Sequence, residues 1–161
     1  MKEVLIWYTE QSIKKGQQWY TQMSKVFDAI KNQQINYNWL ITDLECLVPE
    51  IAYDEEEYCW LTGKELSKIV QENDSQWIWA VLSGFDKSIK LKEVLNYPLP
   101  YADGYKGFWQ NPPSIQHPLA TIEIVPWDSS LTLFFSKHED LVRDFLKAFP
   151  FSEDILEYNT K

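Results

Sequence analysis

The sequence predicts a single α+β domain over residues 1–161, with a mixed or antiparallel sheet of about five strands and three to four helices. Its length of 161 residues suits one domain, which buries about two-thirds of its unfolded-chain surface without staples. Hydrophobic residues at 45% and charged residues at 24% exclude disorder for the bulk of the chain. Runs with a two-residue period also alternate with runs of period 3.6, in the order β-α-β-α-β-loop-β-β-α.

Lys2–Thr9 puts Val4, Ile6 and Tyr8 on one face and Leu5 and Trp7 on the other, a strand covered on both sides. From about Ser12 to Asn32, the spacing of Ile13, Tyr20, Met23, Phe27 and Ile30 aligns them on one face of a helix, weakened early by Gly16. Residues 36–47 alternate again as a second strand and then turn acidic. After that acidic connection, Thr62 and Glu65 have the spacing of a capping box, and Leu66, Ile69 and Val70 line a helix ending near Asn73. Trp77–Leu82 is apolar on both faces and reads as a central strand that Ser83-Gly84 stops. Residues 88–96 give a brief helix through Ile89, Leu91, Val94 and Leu95.

Tyr97–Pro118 holds five prolines, two glycines and five aromatics, a composition that excludes a continuous element and predicts a long loop. Leu119–Val125 and Ser130–Ser136 follow as two antiparallel strands around Pro126-Trp127-Asp128-Ser129. Ser136 and Glu139 have the spacing of a second capping box, opening a helix with Leu141, Val142, Phe145, Leu146 and Phe149 as its apolar stripe. Pro150 ends that helix, and Ser152 is the candidate cap of a last short one containing Ile155 and Leu156.

The formal net charge is −9, which argues against nucleic acid and anionic membrane as partners, because both require a positive field. The longest wholly apolar run, Trp77–Leu82, is far too short to span a bilayer, and the first residues do not resemble a signal peptide. A cytoplasmic protein is expected, with Cys46 and Cys59 as reduced, buried thiols.

Two local features stand out. The 15 residues from Asp43 to Glu57 carry seven acids (Asp43, Glu45, Glu50, Asp54, Glu55, Glu56 and Glu57) and no Lys or Arg. They form either a solvated loop or a negative patch that docks a basic partner and speeds its association. In the long loop, Tyr101, Tyr105, Phe108 and Trp109 either supply contact area to a partner or fold back as a lid over one sheet face. Of the tryptophans, Trp109 and Trp127 are expected to be the most exposed.

Catalytic patterns are not evident. The chain has no G-x-S-x-G elbow, phosphate-binding glycine loop or calcium-loop spacing, and no metal or cofactor is expected. His138, near a helix start, is expected to face solvent. His117 is a candidate acid or base beside a carboxylate such as Asp128, or the partner of a Cys46 or Cys59 nucleophile, although nothing in the sequence brings these together.

The acidic segment and many aromatics, without a catalytic motif, resemble the small acidic immunity proteins of bacterial polymorphic-toxin systems, and the run Tyr37-Asn38-Trp39-Leu40-Ile41-Thr42-Asp43 with the stretch Ile122–Phe145 resembles related uncharacterised bacterial domains. That resemblance implies a cytoplasmic binding protein that neutralises a toxin, often a basic nuclease. The expected function is therefore a protein-binding module with an acidic and aromatic surface. The alternative is a small-molecule-binding domain with an aromatic pocket under the 97–118 loop.

Overall fold

The alternation in residues 36–47 becomes strand β2 (Tyr37–Cys46), which buries Trp39 and Ile41 on one face and Leu40 and Thr42 on the other. A computed structural model describes residues 2–6, 20–46 and 57–161. The other strands are β1 (Lys2–Ile6), β3 (Tyr58–Thr62), β4 (Trp77–Asp86), β5 (Ile122–Trp127) and β6 (Leu131–Ser136). They form one six-stranded sheet in the order β1-β6-β5-β4-β2-β3, and every neighbouring pair is antiparallel.

Both sheet faces are covered, by different kinds of structure. Helices α1 (Met23–Ala29), α2 (Gly63–Glu72) and α4 (Glu139–Ala148) bury Phe27, Leu66 and Phe145 against Trp39, Leu82 and Phe134. On the opposite face lie α3 (Leu91–Val94), the loop over residues 97–118 and α5 (Ile155–Tyr158). Their Val94, Phe108 and Ile155 pack with Leu40, Val81 and Phe135.

The α+β class and the antiparallel sheet are as expected, but several boundaries differ. The sequence alone places β3 in the acidic connection. It is a sheet edge of half-buried residues, so it lacks the alternation that marks a strand with one solvated face. Strand β4 continues through Ser83 and Gly84 to Asp86. Gly84 serves packing there, not a turn: a Cβ would stand 3.0 Å from the Trp39 indole and 3.3 Å from Ile122 Cβ.

Of the helix expected over 12–32, residues 12–19 lie outside the described residues, and the helix observed is Met23–Ala29. Tyr20 and Thr21 direct their amides to Gln76 Oε1, and Gln22 bridges Gln76, so this stretch is not helical. Lys31 and Asn32, at φ of 55° and 59°, end the helical path.

The Thr62–Glu65 capping box forms as the spacing predicts, with the Glu65 amide donating to Thr62 Oγ1 and the Thr62 amide to Glu65 Oε2. The second expected box does not form. Ser136 remains in β6, paired with both Lys2 and Ile122, and its hydroxyl accepts the His138 amide at 3.0 Å, so α4 starts from His138. Asp154 caps α5 in place of Ser152, accepting the Leu156 amide at 2.8 Å. In the β5–β6 hairpin, Pro126 and Trp127 belong to the strand. Asp128 and Ser129, at φ of 47° and 54°, make the turn, a left-handed pair that matches strand twist.

Gly63, the first residue of α2, is required by a close approach. A Cβ there would meet the Gln34 carbonyl oxygen at 2.1 Å and Ile35 Cα at 2.7 Å. The same carbonyl accepts the Trp39 indole N–H at 3.0 Å, so the junction cannot shift without disturbing the core. Gly63→Ala is expected to destabilise by about 1–3 kcal/mol, read as a lower denaturant midpoint at unchanged slope. An unchanged midpoint would show that the junction yields freely.

Candidate functional site

The two local features of the sequence meet in one cleft. An open cavity of about 470 Å³ is lined by Thr42, Asp43, Leu44 and Glu57 on one side and by Leu99, Pro100 and Tyr101 on the other. The first wall comes from the two ends of the acidic segment, and the second from the start of the long loop. Its shape begins with an irregularity in β2, whose pairing with β4 shifts register between Thr42 and Glu45, with Asp43 at φ of 49°. Asp43 Oδ2 then accepts the amides of Ala102 at 2.7 Å and Asp103 at 2.8 Å. The first acid of the segment is therefore a tether that fastens the loop to the sheet.

Comparison with known proteins finds no matching family model, no matching curated protein and no matching solved structure.

The remaining site candidates divide clearly. Glu45 and Glu57 are exposed, whereas Glu50, Asp54, Glu55 and Glu56 lie outside the described residues. In the loop, Tyr101 is 49% exposed at the cleft. Phe108 is fully buried and stacks on Phe135 at 5.9 Å, so it is core and not contact surface. Tyr105, half-buried, packs edge-on against Phe108 at 4.6 Å. Trp109 and Trp127, expected to be the most exposed tryptophans, are half-buried against each other at 5.1 Å. The loop is thus a lid whose inner aromatics complete the second core, and only its outer rim is available to a partner. A hollow of about 410 Å³ opens at its far edge, lined by Trp109, Trp127, Ser130, Leu131, Tyr158 and Asn159.

His117 is a structural brace. It is buried, its Nδ1 accepts the Leu119 amide at 3.1 Å, and its Nε2 donates to the Val94 carbonyl at 2.9 Å. Both nitrogens are committed to backbone, and burial lowers its pKa below the ordinary value, so the ring is neutral and unavailable for proton transfer. His138 is half-buried with its ring 5.8 Å from Tyr37, where solvent exposure was expected. Cys46 and Cys59 are half-buried and neither forms a disulfide.

One residue escapes the sequence reading altogether. Glu123 in β5 has no exposed surface; burial pushes its carboxyl up to about 8 from the ordinary 4.5, opposed by its bonds to Gln116. It is therefore a neutral acid at pH 7. Its signal was the acid in Thr121-Ile122-Glu123-Ile124, which alternation assigns to the face opposite Ile122 and Ile124. Only the lid on that face turns an ordinary solvent-facing glutamate into a buried one.

Proposed function

We propose that this chain is a protein-binding module that docks a basic partner at the cleft, in the manner of an immunity protein neutralising a basic toxin domain such as a nuclease. The observation that carries the reading is the convergence of Asp43 and Glu57 with Leu99, Pro100 and Tyr101 around one cavity. Carboxylates beside an exposed tyrosine suit a Lys or Arg, whose charged head pairs with the acids while its stem lies on the apolar wall. A net charge of −9 adds long-range attraction for a basic surface.

Oligo-arginine peptide is the simplest probe, followed by NMR and repeated against a candidate toxin domain. The expected result is shift changes at Leu44, Glu57, Leu99 and Tyr101, with affinity falling steeply as salt rises. Glu45→Gln with Glu57→Gln should slow association severalfold while stability stays within about 0.5 kcal/mol of the parent. Shifts confined to other surfaces, or binding indifferent to salt, would remove the proposal.

The small-molecule reading has a different basis from the one expected. Phe108 and Tyr105 fill the space under the loop, so the aromatic hollow beside Trp109 and Trp127 is the place such a ligand would occupy.

A further inference from the structure

We infer that Glu123 is a proton-operated latch on the loop that walls the cleft: protonated, it keeps the loop closed, and its ionisation favours opening. The inference adds regulation to the cleft proposed above, but the latch itself is measured without any partner. Glu123 Oε2 accepts the Gln116 amide at 2.8 Å, so the carboxyl holds the loop by its backbone. Gln116 passes the hold onward. Its Oε1 accepts the Tyr101 amide at 3.1 Å, and its Nε2 donates to the Tyr101 carbonyl at 2.9 Å. Tyr101 with Leu99 and Pro100 is one wall of the cleft, and Asp43 holds the next two amides. A buried carboxyl is thus joined to the cleft wall through a single glutamine.

Among the described residues, the other carboxyl oxygen, Oε1, is buried without a hydrogen-bond partner, and so is Ser83 Oγ, on the residue opposite Glu123 in β4. A protonated Oε1 is a neutral group, whereas an ionised Oε1 leaves a buried charge with no hydrogen bond to that oxygen. The bonds from Gln116 favour the ionised form, but burial outweighs them. From β4 comes Ser83 and from β6 Phe135. The loop contributes Gln116 and Tyr105, and Tyr105 carries Tyr101 against its ring at 5.2 Å. Burial first, then Glu123 and Tyr101, raise the Tyr105 hydroxyl, so it stays protonated; His117 beside Gln116 is neutral. Among the described residues, no Lys or Arg forms an ion pair with Glu123. Ionisation is relieved by water, and the loop stands between Glu123 and water.

Amide hydrogen exchange against pH tests the latch. Protection of the Tyr101, Ala102 and Gln116 amides should fall about tenfold per pH unit between about pH 5 and about pH 8, beyond ordinary base catalysis, and then level off. Amides of β4 such as Leu82 should remain better protected throughout. Glu123→Gln keeps an acceptor for Gln116 but cannot ionise, so its loop protection should not vary with pH. Gln116→Ala should raise opening at every pH and keep the wild-type slope. The latch is overturned if wild-type loop protection is flat with pH, or if Glu123→Gln retains the slope. It is equally overturned if loop and β4 amides exchange in step, which would make the linkage one of global unfolding. Failure of the cleft reading is separate: oligo-arginine would leave the cleft signals unmoved while the latch still titrated.

Discussion

Glu123→Gln is expected to abolish a loss of stability that the parent protein suffers as pH rises from about 5 to about 8. The unfolded chain releases the Glu123 proton near the ordinary 4.5, whereas the folded chain holds it up to about 8. Between those values the unfolded state is the one that has lost its proton, so each pH unit favours unfolding. Stability is full below the lower value, declines across the window and is flat above it. A raised pKa spanning that window corresponds to on the order of 5 kcal/mol, a large share of a domain's total. Denaturant unfolding of both proteins at several pH values measures it. Parallel curves for parent and variant would mean that Glu123 is ionised in the folded state and reaches water or a cation.

Phe145→Ala should cost about 3–5 kcal/mol, through the cavity left when a buried ring is removed. Phe145 has no exposed surface, lies parallel to Phe134 at 4.4 Å between centroids, and meets Phe149 at 5.0 Å. It faces the helical side of the sheet, away from the cleft. The folded fraction of the variant should therefore bind oligo-arginine as the parent does, while its melting temperature drops. Reduced affinity in fully folded variant would show that the two faces are coupled through the sheet.

Much of this fold was legible because period and caps are local. Met23 and Phe27 repeat at helical spacing, the Thr62–Glu65 box fixes the start of α2, and Trp39 with Ile41 marks one face of β2. What failed depended on neighbours distant in sequence. Gly84 reads as a stop until the Trp39 indole is seen to need its space, and Ser136 reads as a cap until two flanking strands claim it. The same holds at the site. Composition singled out the acidic run and the aromatic loop, but not that Asp43 would hold Ala102 and Asp103, nor that Phe108 would be core. Glu123 was invisible for a related reason: its character comes from a lid, not from its own strand.

The strand order carries a consequence for how the chain is made. Among the described residues, strand β1 pairs only with β6, so Lys2 waits for Ser136, and a strand made before all the others of the sheet acquires its partner among the last. The sheet therefore cannot grow outward from β1. The pairings expected earliest in synthesis are β2 with β3 and then with β4, both closed by segments much shorter than the one separating β1 from β6. Assembly during synthesis is then expected to proceed from the β3 edge across the sheet toward β1, and a ribosome stalled before β6 presents a sheet with β1 still unattached.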